Sequence, residues 1–206
     1  MLMERNKLFP CFYLAPVEVF TEIVALKTDE VWIEKFEHFP KQTYRNRASI
    51  YSPNGKLDLI IPVMKGAKVH TVMKDVRISY ESDWPRLHWM SLQTSYRRSA
   101  YFEFYEDDFA PFYQKKYEFL FDFNVDLLAL VLRLLKARKT ITFTDTYMES
   151  NDEVVDFRSS IHPKKVNAVH PAKSYFQVFE PKYGFIPNLS IVDLLFNQGP
   201  NSLNFL

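Results

Sequence analysis

Three stretches of the chain hold side chains able to do chemistry. Tyr44-Arg45-Asn46-Arg47 places two guanidiniums and a carboxamide side by side, planar donors suited to a carboxylate, a phosphate or a sugar hydroxyl. On a strand, Arg45 and Arg47 point to one face and Asn46 to the other, so the three need not share a ligand. A salt-bridged strand edge explains them as well. Asp156-Phe157-Arg158 and Ile161-His162-Pro163-Lys164-Lys165 bring a carboxylate, an arginine, a histidine and two lysines close together in a polar stretch. Loops hold more than their share of binding groups, and a wet charged loop is the plainer account. Trp84, His88, Leu92 and Tyr96 recur at steps of four, which on a helix makes one stripe. Such a stripe most simply faces the core. At the rim of a cleft, His88 would instead be a general acid or base, because its ordinary pKa lies near neutrality.

Other chemistries find little support. The chain has 4 glycines and no GxGxxG or GxxxxGK[ST] loop, so neither standard phosphate cradle is present. A lone Cys11 excludes an internal disulfide and a multi-cysteine zinc site. Set among Phe, Tyr and Leu, it reads as an inert buried thiol. Glu106-Asp107-Asp108 lacks the EF-hand pattern, no HExxH occurs, and His38, His70 and His170 have no ligand spacing, so no metal site is expected. With 26 basic and 25 acidic residues the net charge is +1. No broad field would gather nucleic acid. No run approaches the roughly 18 apolar residues of a membrane helix. The apolar start near Leu8 is broken by Pro10, Pro16 and Glu18 and lacks a cleavage site. A cytoplasmic, soluble protein is expected, folded as a single domain over residues 1–206.

The elements that must position these groups can be read from patterning. A short strand is expected over 8–14, and a helix from Pro16 to about Lys27. A strand follows over Val31–Phe36, then a hairpin of Asn46–Tyr51 and Leu57–Met64 joined at Ser52-Pro53-Asn54-Gly55, and a strand over Val76–Tyr80. Helices are predicted from Trp84 to about Ala100, over Glu106–Phe121, and over Val125–Ala137, with a break at Asp122–Asn124. A strand at Ile141–Thr144, a long loop over 145–174, a strand at Tyr175–Phe179 and a helix at Leu189–Asn197 complete the chain. Strands first and helices later predict an α+β fold, with a mixed or mostly antiparallel sheet from the N-terminal half packed against a largely helical second half.

The run Phe185-Ile186-Pro187-Asn188-Leu189-Ser190-Ile191-Val192-Asp193-Leu194-Leu195-Phe196-Asn197-Gln198-Gly199 resembles the ending of WbqC-like proteins. Tyr13 and Pro16, Asn46-Arg47, Pro62-Val63, and Trp84, His88 and Tyr96 follow in that family's order. The chain departs from it at Glu34 and Glu37, where the family pattern has adjacent aspartates, and over about 145–175. The resemblance implies cell-surface polysaccharide biosynthesis of the O-antigen kind, and an acyl or aminoacyl transfer to an amino sugar. On that reading His88 would be the base, Asn46 and Arg47 the anchoring donors, and Trp84 and Tyr96 the pocket walls. Apart from the resemblance, the chemistry of their own segments makes Arg45, Arg158 and His162 further candidate substrate contacts. The partner implied is a sugar nucleotide or carrier-linked precursor; no cofactor is specified. A non-catalytic carbohydrate-, carrier- or protein-binding module is the competing expectation.

Overall fold

β1 (Asn6–Pro10) and β2 (Glu30–Glu34) run parallel because α1 (Val17–Val24) carries the chain back between them. Lys7 on β1 pairs with Glu22 on α1 at 2.6 Å, which marks the sheet face that α1 covers. By strand alternation, Leu8, Trp32, Glu34 and Asp156 lie on the opposite face. Registry agrees, with Leu8 opposite Trp32 and Asp156, and Pro10 opposite Glu34. The computed structural model describes residues 6–64, 71–151, 154–165 and 173–206; Arg5, Gly66, His70, His170 and Pro171 lie outside them.

Two further strands come from far along the chain. β5 (Thr140–Phe143) joins β2, and β6 (Val154–Asp156) joins β1, giving a four-stranded parallel sheet in the order β5-β2-β1-β6. The antiparallel pairing is confined to the hairpin of β3 (Arg47–Ser52) and β4 (Gly55–Ile60). The expected α+β mixture is therefore present but divided between two sheets, and half of the larger sheet follows the helices. β6 falls inside the expected loop. Three residues, two of them valines, are too few to stand out as a strand without β1 beside them.

α2 (Trp84–Tyr96), α3 (Phe102–Gln114) and α4 (Leu120–Leu134) form the helical part. Phe102, Tyr105, Phe109 and Tyr113 are the buried stripe of α3. The expected break at Asp122–Asn124 lies within α4, because Asn124 is a fully buried tie. Its Nδ2 donates to the carbonyls of Arg45, at 2.7 Å, and Cys11.

The expected strand at Val76–Tyr80 is an extended strip with single bridges, Val63 to Ile78 and Arg77 to Phe119. Pro62 beside it has no N–H to extend a ladder. Tyr175–Phe179 likewise forms no strand; Tyr175 and Gln177 use their side chains instead, as described below.

The C-terminal run works as a clasp. Leu189 carbonyl accepts from Val17 N–H at 2.9 Å, and Asn188 Oδ1 from Glu18 N–H at 3.0 Å. Ser190 donates from its hydroxyl to the Leu14 carbonyl, receives from Val192 N–H, and opens α5 (Ile191–Gln198). α5 ends at Gly199, with φ 53°, where a Cβ would run into the Tyr101 ring. A buried carboxylate completes the clasp. Asp193 accepts from Tyr96 and Tyr175 hydroxyls at 2.8 Å and from Gln177 at 2.9 Å. Burial pushes its pKa up to about 6 even though these donors oppose the rise.

Candidate functional site

In open parallel sheets, ligand sites form beyond the carboxyl ends of the strands. Near the carboxyl end of β1, the start of α1 is already filled, since Asn188 and Leu189 occupy its first free N–H groups. The backbone device that would hold an anion there is taken by the protein itself. Beyond β2 and β6 the ends carry charge, at Glu34 and Asp156.

Glu34, at the end of β2, is fully buried. It accepts from Phe36 N–H at 2.7 Å, Thr144 hydroxyl at 2.9 Å and Met148 N–H at 2.8 Å. Asp156, at the end of β6, takes the Arg158 guanidinium in a fork, with Nε at 2.9 Å and Nη2 at 2.6 Å, and also the Ser150 hydroxyl. Arg158 Nη1 faces Glu34 at 3.5 Å. Burial would raise the Asp156 carboxyl, but hydrogen bonds from Arg158 and Ser150 outweigh it and hold the group below its ordinary value. The exposed Tyr147 ring lies over the same guanidinium, 4.7 Å from centroid to Cζ.

Beside it, Arg45 is fully buried and holds Glu37 through two bonds, Nε at 2.9 Å and Nη2 at 2.6 Å. Burial still keeps the Glu37 pKa raised against the pull of Arg45. Arg45 Nη2 also donates to the Arg158 carbonyl at 3.0 Å, so the two arginines form one block. His162 stands half-buried on the following loop and accepts at Nδ1 from Lys164 N–H at 3.1 Å. That contact assigns the proton of the neutral ring to Nε2. Partial burial and the charges of Lys164, Arg45, Lys165 and Arg47 lower its pKa, so the ring is neutral at pH 7.

The structure thus brings Arg45, Arg158 and His162 together, with Arg47 near enough to bias His162. Arg47 is half-buried and pairs weakly with Asp58, at 3.5 Å. Asn46 Nδ2 is spent on the Ile61 carbonyl at 2.8 Å.

His88, Trp84 and Tyr96 lie elsewhere. The stripe of α2 faces the core, and all three side chains are buried. His88 Nδ1 meets the Tyr13 hydroxyl at 3.0 Å, which in turn meets the Tyr113 hydroxyl at 3.0 Å. Trp84 packs edge-on to His88, 5.0 Å between centroids, and its Nε1 donates to the Ser79 carbonyl. Burial lowers the His88 pKa to about 4, partly offset by a hydrogen bond to the Ile60 backbone. Tyr96 spans from Tyr51 N–H to Asp193. These groups brace the interior rather than line a surface at the sheet's edge.

Sequence reading missed Tyr147 and Ser150 as companions of Arg158, and it met Glu34 and Glu37 only as departures from a pattern. An isolated charged residue at the end of a buried strand was the available signal.

A charge cluster at the carboxyl edge of a small parallel sheet, with a C-terminal run fastened to the start of α1, characterises this fold. The chain belongs to the WbqC-like protein family, whose model matches residues 13–179. The C-terminal clasp lies past that match, so membership rests on the elements from Tyr13 onward. The chain is 23% identical to Uncharacterized protein Rv1507c of Mycobacterium tuberculosis, over 93% of each sequence. No solved structure matches it. Among the described residues no helix is long and apolar enough to cross a membrane.

Proposed function

We propose that this chain, folded as one domain, binds a nucleotide- or carrier-linked sugar precursor of cell-surface polysaccharide at the carboxyl edge of its parallel sheet. One observation carries the reading: an exposed tyrosine ring, Tyr147, sits over an arginine whose fork is anchored on Asp156 and Ser150. Sugars are held by a flat ring against their C–H face and by carboxylate and guanidinium groups at their hydroxyls. Family membership supports the biological setting.

A second reading adds turnover, as acyl or aminoacyl transfer to an amino sugar. It is favoured by His162, a neutral imidazole at the same edge whose Nε2–H is available to a developing oxyanion. His88 does not serve this reaction, since its ring is enclosed and its Nδ1 is engaged by Tyr13.

The test is calorimetric titration with uridine-diphosphate amino sugars, followed by mass spectrometry after adding an aminoacyl or acyl donor. Binding lost in Tyr147→Ala and unaffected in His88→Gln is expected. Binding insensitive to Tyr147→Ala would sink the site. A mass shift on the sugar that disappears in His162→Ala selects the transferase; binding without any shift selects the module.

A further inference from the structure

A precursor of this kind carries phosphate, and the fold withholds the usual means of holding it. No glycine-rich loop exists, and the start of α1 is closed by Asn188 and Leu189. Recognition must come from side chains.

Next to the block of Arg45 and Arg158 lie two donors in an unusual state. Arg47 Nε and Ser160 Oγ are buried and have no hydrogen-bond partner among the described residues. Buried donors left unpaired are costly, so such groups call for an acceptor. They flank the loop on which His162, Lys164 and Lys165 stand. Arg45 fastens that loop to the Arg47 segment through its 3.0 Å bond to the Arg158 carbonyl. Lys165 is folded back over the loop, with Nζ on the Ser159 carbonyl at 2.8 Å and its N–H on the His162 carbonyl at 2.9 Å. Lys164 is exposed. The nearest carboxylate to Arg47 is Asp58, at 3.5 Å, and it also accepts from Ser49 at 2.6 Å. Three cations, one imidazole N–H and one hydroxyl therefore stand on two segments that Arg45 ties together, with Asp58 the carboxylate paired with Arg47.

We infer that Arg47, Ser160, His162, Lys164 and Lys165 form a phosphate-binding subsite that takes the diphosphate of the precursor, beside the sugar-binding edge at Tyr147 and Asp156. The assignment rests on the sugar-precursor reading for its ligand, though its chemistry can be tested without a sugar. Inorganic pyrophosphate is the first probe, titrated at low ionic strength while the His162 ring resonances are followed by NMR. Uridine diphosphate and geranyl diphosphate are the next two arms, standing for nucleotide and lipid-carrier sources.

The expected result is saturable shifts at His162. Affinity should fall at least tenfold in Arg47→Ala and in the double variant Lys164→Ala, Lys165→Ala, and should weaken steeply with added salt. Because these side chains are exposed or only half-buried, the variants keep their fold, which circular dichroism would verify. Tighter binding of either organic diphosphate than of pyrophosphate supports the subsite and identifies the source. Pyrophosphate that leaves His162 unmoved, or binds both variants as well as the parent, overturns the subsite. A phosphate-free amino sugar that still binds in a Tyr147-dependent way would then leave the sugar-precursor reading standing; if it too fails, both fall.

Discussion

Two histidine-bearing regions of this protein differ in a way that separates structure from function. Around His88, polar groups meet in a closed chain: imidazole to Tyr13, Tyr13 to Tyr113, all within an aromatic wall that includes Trp84 and Phe123. Around His162, polar groups exceed the partners available to them, and Arg47 Nε and Ser160 Oγ are left over. A core tolerates a histidine by neutralising it and occupying it. A binding edge keeps unmet hydrogen-bonding capacity, which a ligand can satisfy. By that contrast the helix-borne His88 is a brace, although its type and spacing made it the more inviting catalyst.

The largest expected effect lies at the junction of the two arginines. Arg45→Ala leaves Glu37 buried without its cation, and losing one partner of a buried pair costs about 3–5 kcal/mol. Urea denaturation should show that loss, and replacing both residues by Met and Leu should recover much of it. If Arg45→Ala costs under about 1 kcal/mol, Arg45 does not hold Glu37 and the Arg158 segment in one block.

The next effect concerns pH. His88 has its folded pKa lowered to about 4 from 6.5, so its contribution is present above pH 6.5 and is lost as pH falls toward 4. The shift corresponds to about 3 kcal/mol. Asp193 runs the other way. Its folded pKa is raised to about 6 from 3.8, so its contribution is full below about pH 4 and is lost as pH rises through 6, by a comparable or smaller amount, about 2–3 kcal/mol. Stability curves for His88→Gln and Asp193→Asn should therefore differ from the parent with opposite slopes across pH 4–6. Parallel slopes would mean that one of the two environments is not as closed as its geometry indicates.

Much of this was legible in the residues, and what was not has a local cause. The hairpin turn at Ser52–Gly55, the Pro16 start of α1 and the α2 stripe are short-range signals, and each appears where patterning places it. The parallel sheet was not, because β5 and β6 reach their partners across more than a hundred residues and are four and three residues long. The same distance hid the site. Arg158 was visible as a charged loop residue, but Glu34, Tyr147 and Ser150 acquire meaning only when β2 and β6 lie on one sheet. Asn124 misled for the opposite reason: a polar residue read as a break is a buried tie.

The smallest effect on stability is the sharpest on function. Tyr147 is exposed, touching Arg158 through its ring alone among its described contacts, so Tyr147→Ala should change unfolding free energy by no more than about 0.5 kcal/mol. Arg158 keeps its fork on Asp156 without the ring. Any loss of sugar affinity in that variant therefore reports a missing stacking surface rather than a collapsed edge. Tyr147→Phe, which keeps the ring and drops the hydroxyl, should bind within about twofold of the parent, a difference of about 0.4 kcal/mol. Were Phe as weak as Ala, recognition would depend on the phenol's hydrogen bond, and the ring over the guanidinium would be an ordinary surface contact.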